Sequence, residues 1–218
     1  MLKKENKYNF PNILILCGGL GTRLKEVIGK TPKSLAPIEQ KTFLDFQLSW
    51  LFRRGFKNIT LLTGHRSDEI KNYLDKNIIK KSKNNIPKVS IIREDKLLGT
   101  GGAILNYLKK TKIDNPFIVL NGDTYSDLNF DKFLEFCYFE NKITIASVYS
   151  KNCLRYGSLS IMDDNSLKGF NEKSSYKKTG WINAGIYYFP KNIISEFDLQ
   201  REEFSLEKFF FSFLTLSK

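Results

Sequence analysis

One histidine and three cysteines in 218 residues leave little material for several kinds of chemistry. Cys17, Cys137 and Cys153 are odd in number, far apart and without CxxC or CxH spacing, which argues against a disulfide framework and a zinc site. A lone His65 closes off histidine-rich metal chemistry, and it is assigned no role. Long apolar runs are missing too: nothing approaches the roughly 18 residues of a spanning helix. The start, "MLKKENKYNF", has no apolar core of a secretory signal, so the expectation is a cytoplasmic protein with no membrane partner. Acidic residues are in deficit, 23 against 35 basic ones, for a net charge of +12. The basic residues are mostly lysines scattered among asparagines and isoleucines, with no arginine-rich stripe and no aromatic RNP-like motif. That pattern favours a solvated lysine surface over a nucleic-acid partner. Anionic phosphate substrates would gain from the same field.

What is present reads as one α/β domain spanning 1–218. Short apolar runs, "NILILC" (12–17), "NITLLTG" (58–64), "KVSIIRE" (88–94) and "PFIVLNGD" (116–123), suit strands buried on both faces. Between them "FLDFQLSWLFRRG" (43–55), "SDEIKNYLDKNI" (67–78) and "GGAILNYLKK" (101–110) carry apolar residues at helical spacing. The alternation predicts a Rossmann-like open sheet, mostly parallel and flanked by helices. After Thr124 one helix, "FDKFLEFCYF", is followed by strand-like "KITIASVYS", "YGSLSIM", "SLKGFNEK" and "WINAGIYYF", so the sheet becomes mixed. The charged stretch "KKSKNNIPK" (80–88) reads as a mobile connection, and Trp50, Trp181 and Phe209 to Phe211 as packing residues. Aromatics at the C-terminus would suit a second copy in a homo-oligomer.

In open α/β sheets ligands bind beyond the carboxyl ends of the strands, so the loops after the first and fourth strands should share a crevice. The first loop is "LCGGLGTRL" and the second is "NGD". Glycines directly after a buried strand let backbone N–H groups approach phosphate oxygens closely. "GGLGTRL" lacks the third glycine of a dinucleotide fingerprint, and nothing matches GxxxxGK[ST]. Arg23 is a permanently charged fork suited to phosphate, and Lys33 on the "TPKS" turn adds a point charge. Asp123 adds a carboxylate able to hold Mg²⁺, or one that caps a turn.

These residues resemble the signature of the sugar-1-phosphate nucleotidyltransferases, G-G-x-G-T-R-L followed by P-K. The resemblance continues through "EDKLLGTGGAI" (94–104), "FIVLNGDTYSD" (117–127), "RYGSLSI" (155–161), "FNEK" (170–173), "INAGIYYF" (182–189) and "FSLEKFF" (204–210), in order along nearly the whole chain. Within the family the sequence is most similar to the bacterial D-glycero-D-manno-heptose 1-phosphate guanylyltransferases. The resemblance implies the nucleotide-diphospho-sugar transferase fold, with a nucleotide-binding part over about 10–125 and a sugar-binding part over about 126–218. It implies condensation of GTP or another NTP with heptose or mannose 1-phosphate to give NDP-sugar and pyrophosphate, with Mg²⁺ as cofactor, for surface polysaccharide synthesis.

By the same resemblance Leu16, Gly18, Gly19, Gly21 and Thr22 wrap the nucleotide phosphates, while Arg23 and Lys33 neutralise them. Gly99, Thr100, Gly101 and Gly102 approach the base and ribose. Asp123, with Gly122, binds the metal, and Gly157, Glu172, Lys173 and Asn183 line the sugar-phosphate pocket. Members of the family continue past "FSLEK" to a strand whose aspartate is a second metal ligand, whereas this sequence closes on "FFFSFLTLSK". The expectation is then a Mg²⁺ resting on Asp123, triphosphate oxygens and water, with Asp127 as a substitute ligand. A non-catalytic nucleotide-sugar-binding relative is the competing expectation.

Overall fold

The alternating segments fold into a mixed sheet with helices on both faces. In chain order the elements are β1 (Asn12–Leu16), β2 (Pro37–Ile38), β3 (Lys41–Thr42), α1 (Phe43–Arg53), β4 (Asn58–Thr63), α2 (Ser67–Leu74), β5 (Lys88–Arg93), α3 (Gly99–Lys110), β6 (Phe117–Asn121), α4 (Phe130–Glu140), β7 (Thr144–Ser150), β8 (Ser158–Ile161), β9 (Leu167–Asn171) and β10 (Gly180–Phe189). The computed structural model describes residues 10–19, 21, 29, 31–79, 88–111, 115–153, 156–171, 179–191, 193, 202–207 and 209. Thr22, Arg23, Glu172, Lys173, Phe210, Phe211 and the connection 80–87 lie outside them.

The sheet order is β5-β4-β1-β6-β10-β8-β9, with β7 also paired to β10. Strands β5, β4, β1 and β6 are parallel, and every pairing from β10 onward is antiparallel. β1, β4 and β6 are buried almost throughout, which is why their sequences are apolar without alternation. β5 departs from that expectation. Among the described residues it pairs only with β4, and its residues are half-buried or exposed, as in an edge strand without a second neighbour.

The two faces of β1 seed two cores. Ile13 and Ile15 pack with Leu44, Leu48 and Leu51 of α1 and with Phe130 and Leu134 of α4. Leu14 packs on the other face with Ile104, Leu105 and Leu108 of α3 and with Phe204, Leu206 and Phe209. Each such side chain contributes on the order of 1.5–3 kcal/mol by leaving water. Trp50 and Phe209 are buried as expected, at 1% and 7% exposure, whereas Trp181 is 44% exposed with its ring against Tyr149. The correction follows from its place on β10, where it pairs out toward β7 and β8 on the thinner end of the sheet.

The helix starts place the loops. α1 opens with a capping box in which Thr42 N–H donates to the Asp45 carboxylate at 2.8 Å and Asp45 N–H donates to the Thr42 hydroxyl at 3.3 Å. α4 is capped by the Asn129 side chain, which accepts Lys132 N–H at 3.2 Å. α3 has no side-chain cap at its own N-terminus. Instead the Phe204 carbonyl accepts Gly101 N–H at 3.0 Å and Gly102 N–H at 3.2 Å. A helix whose orphan donors are met by a segment a hundred residues away docks that segment onto itself.

Candidate active site

Register brings the site together. Leu16 aligns with Leu62 on one side and with Asn121 on the other, so β1 and β6 end at the same level. Their loops therefore leave the sheet side by side. The Gly122 N–H donates back to the Leu16 carbonyl at 3.0 Å, and a Cβ at position 122 would collide with that carbonyl. This close approach is the physical reason for glycine in "NGD".

Above these strand ends lies a cavity of about 510 Å³, lined by Leu16, Cys17, Gly18, Gly19 and Gly21 from the first loop. Asn121, Gly122 and Asp123 form the opposite wall, and Lys33 reaches in from the "PKS" turn. Gly21 has φ +61 and nothing lies within 4 Å of a Cβ built on Gly19, so the loop offers bare backbone to the cavity. Lys33 Nζ forms an ion pair with the Asp123 carboxylate across ninety residues of sequence. The two side chains keep about a third and two fifths of their exposure, 33% and 42%, so ligands reach both. Burial pushes the Cys17 thiol up to about 12, and the Asp123 charge adds to the effect, so Cys17 is a neutral thiol and no nucleophile.

Three features were missed by sequence reasoning. Glu94 follows β5 and is held by its N–H to the Thr63 carbonyl at 2.8 Å. Its side chain lies between two glycines: a Cβ would come within 2.7 Å of its Oε1 at Gly18 and 2.5 Å at Gly64. Glu94 is 9% exposed, lines the cavity, and its Oε2 has no hydrogen-bond partner among the described residues. Burial raises its pKa, and the Leu98 backbone N–H offsets part of that. The second feature is Gln47, whose Nε2 donates to the Asn121 carbonyl at 3.0 Å and the Thr124 carbonyl at 2.7 Å. It fastens both ends of the turn carrying Asp123 to α1. A glutamine on the apolar stripe Leu44, Leu48, Leu51 was the signal that could have found it. The third is Gly185, at φ +68 within a bulge of β10, where a Cβ would meet the Thr124 hydroxyl at 2.6 Å.

The residues expected at the base and sugar divide. Gly99 and Thr100 line the cavity. Gly101 does not, since its N–H is taken by the Phe204 carbonyl and a Cβ there would run into the Phe204 ring. Gly157 and Asn183 meet each other, with Asn183 N–H donating to the Gly157 carbonyl at 3.0 Å, but neither lines this cavity. Gly157 leaves room for the Phe170 ring. The Asn183 amide is engaged at both ends, accepting Gly185 N–H at 2.8 Å and donating to the Tyr187 hydroxyl at 2.7 Å. Asp123 and Asn121, facing the cavity, offer a hard carboxylate oxygen and an amide, donors that fit a divalent cation of the magnesium type keeping water and phosphate ligands. No group of three or more His, Cys, Asp or Glu that could hold a metal occurs among the described residues. No described helix is long and apolar enough to cross a membrane.

A mixed sheet with a glycine loop after its first strand, and cationic and acidic side chains facing across the strand ends, is the architecture of an α/β enzyme that handles phosphates. Comparison with known proteins gives the family. The nucleotidyl transferase family model matches residues 12–215, and the chain belongs to that family. A D-glycero-alpha-D-manno-heptose 1-phosphate guanylyltransferase from Campylobacter jejuni is 41% identical, covering 90% of this chain and 83% of the relative. One of the same description from Aneurinibacillus thermoaerophilus is 35% identical over 90% and 82%. Among solved structures, HddC from Yersinia pseudotuberculosis complexed with GMP-PN superposes with a TM-score of 0.78 at 37% identity, covering 91% of this chain and 84% of that one.

Proposed function

We propose that the protein transfers a guanylyl group from GTP to D-glycero-D-manno-heptose 1-phosphate, releasing pyrophosphate, in the cytoplasm and for surface polysaccharide synthesis. The observation that carries the choice of base is the Glu94 carboxylate, buried in the cavity with Oε2 unpartnered. A buried carboxylate oxygen without a partner is costly, and its natural partner is a ligand with adjacent donors. The guanine edge presents an N–H and an amino group side by side. Uracil and thymine offer one ring N–H flanked by carbonyl oxygens, which an anionic carboxylate repels.

In this reading residues 10–125 hold the nucleotide and 126–218 the sugar phosphate within one domain. An oxygen of the sugar phosphate attacks the α-phosphorus in line, the new P–O bond forms as the bond to the β-phosphate bridge breaks, and pyrophosphate leaves with the electron pair. The nucleophile is already an anion, so no general base is needed. Catalysis reduces to positioning two polyanions, on the order of 7–11 kcal/mol when orientation is complete, and to neutralising spreading charge. Gly18, Gly19 and Gly21 supply backbone donors to the phosphates, Lys33 and Arg23 supply cations, and Asp123 with Gly122 would hold a Mg²⁺ ion, which when bound would neutralise charge on phosphate oxygens. Gly157, Glu172, Lys173 and Asn183 shape the sugar-phosphate side, Asn183 by setting the β10 bulge.

The test is pyrophosphate release with Mg²⁺, crossing GTP, CTP, UTP and dTTP against heptose, mannose and glucose 1-phosphates. Turnover confined to GTP and heptose 1-phosphate, abolished in Asp123→Ala, is expected. Turnover with mannose 1-phosphate in place of heptose would change the sugar, and a preference for a pyrimidine nucleotide would sink the role of Glu94. Binding of GTP without turnover on any sugar phosphate would leave a non-catalytic relative.

A further inference from the structure

Glu207 enters the cavity from a part of the chain that the phosphate chemistry does not use. It lines the same cavity as Gly122 and Asp123. The Thr100 hydroxyl donates to its Oε2 at 3.3 Å and accepts Leu206 N–H at 2.7 Å. Phe204 N–H donates to the Leu98 carbonyl at 3.0 Å, while the Phe204 carbonyl caps Gly101 and Gly102. The turn bearing Glu207 is thus locked onto the first turn of α3; Gly99 and Gly102 make room for the backbone carbonyls of Phe204 and Glu202, and Gly101 for the Phe204 ring. Among the described residues, Glu207 Oε1 has no hydrogen bond and the carboxylate has no ion pair.

Position and charge select its ligand. The Tyr187 phenol feels the charges of both Glu207 and Asp123, and its hydroxyl accepts from the Asn183 amide. Glu207 lines the cavity beside the first turn of α3, and its charge reaches across to Tyr187 of β10. A carboxylate fixed there repels phosphate oxygens and accepts hydroxyl donors. Its rotamer is already restrained by Thr100, so little ordering is left for binding to cost.

We propose that Glu207, oriented by Thr100, is a specificity-determining residue that accepts hydrogen bonds from ring hydroxyls of the sugar 1-phosphate. The inference rests on the nucleotidyltransferase reading above and adds to it a residue that discriminates among sugars. Glu207 is half-buried, so an acceptor oriented there and left without its hydroxyl loses a charge-assisted hydrogen bond, and the site disfavours sugars lacking the matching group.

The experiment compares the full-length chain with Glu207→Gln, Glu207→Ala and Thr100→Val, by kinetics and by titrating heptose 1-phosphate into protein saturated with a non-hydrolysable GTP analogue. Glu207→Ala is expected to raise KM and Kd for the sugar phosphate at least about tenfold, matching the loss of a charged hydrogen bond. KM for GTP and the half-saturating Mg²⁺ concentration should stay within about twofold of wild type. Glu207→Gln, which keeps the volume and guards against misfolding, should show a smaller loss of the same kind, and Thr100→Val a smaller one still. An equal rise in KM for GTP would assign Glu207 to the ribose or to holding the turn, and a rise confined to Mg²⁺ would make it a metal ligand; either overturns the proposal, as does unchanged sugar affinity. Wild-type protein that neither turns over nor binds any sugar phosphate would remove the nucleotidyltransferase reading itself, and this inference with it.

Discussion

The parallel half of the sheet and the antiparallel half solve the same problem differently. In the parallel half, β1, β4 and β6 are covered on both faces, and aligned strand ends deliver two loops to one place. In the antiparallel half, β7 and β10 carry exposed Val148, Tyr149 and Trp181, and the register of β10 shifts between Asn183 and Tyr187. A site made by parallel strands inherits its geometry from the register, whereas β10 needs a bulge, the left-handed Gly185 and a committed Asn183 side chain to turn toward it. In the proposed reading, phosphate chemistry, common to many substrates, sits on the first half, and the sugar-facing residues sit on the second.

The largest expected effect tests the rigid half. Asp123→Ala should lower turnover by at least about 10³-fold, with Tm little changed because the side chain is partly exposed. Next comes base choice. Glu94→Gln should lower kcat/KM for GTP about tenfold or more, since a hydrogen bond to a charged group contributes about 1.5–3 kcal/mol. Its pKa is raised by burial, so ionising the carboxylate costs folding stability, and that cost grows as pH rises through the folded value. Glu94→Gln should therefore hold or raise Tm while GTP is lost. Binding runs the opposite way: GTP affinity in wild type should fall on acidification through a pKa above the usual carboxylate value, and the variant should lack that limb. A flat wild-type profile would remove Glu94 from base recognition.

Smaller effects probe how the halves are joined. Gln47→Met should cost about 1–3 kcal/mol in urea unfolding, by leaving the Asn121 and Thr124 carbonyls without their donor, and should slow turnover through Asp123. Gly185→Ala should cost about 1–3 kcal/mol from strain at φ +68 and crowding at Thr124, affecting KM for sugar phosphate more than for GTP. Equal effects on both substrates would dissolve the division between the halves. Trp181→Ala should stay within about 0.5 kcal/mol in stability, as expected of a surface aromatic.

Much of this was readable before any coordinates. "NILILC", "NITLLTG" and "PFIVLNGD" declare buried parallel strands by apolar runs without alternation, and "FLDFQLSWLFRRG" declares a helix by its apolar spacing. The glycine loop, Lys33 and Asp123 could be assigned to one crevice because strand ends in such sheets face one way. Edge status could not be read from "KVSIIRE", nor the exposure of Trp181, since both depend on which neighbours are missing. The "LGTGG" glycines looked like ligand contacts, and two of them, Gly101 and Gly102, instead make room for residues 202–204.

By itself the sequence determined the order of elements, the loop after β1 and the kinds of side chain available for phosphate and metal, because local periodicity and backbone freedom are properties of neighbouring residues. Only the tertiary structure decided that Lys33 pairs with Asp123, that Glu94 is buried between Gly18 and Gly64 with an unpartnered oxygen, and that Thr100 reaches back to Glu207. Those meetings span up to 107 residues of chain, and they are set by strand register and by the packing of two cores, neither of which any local stretch encodes.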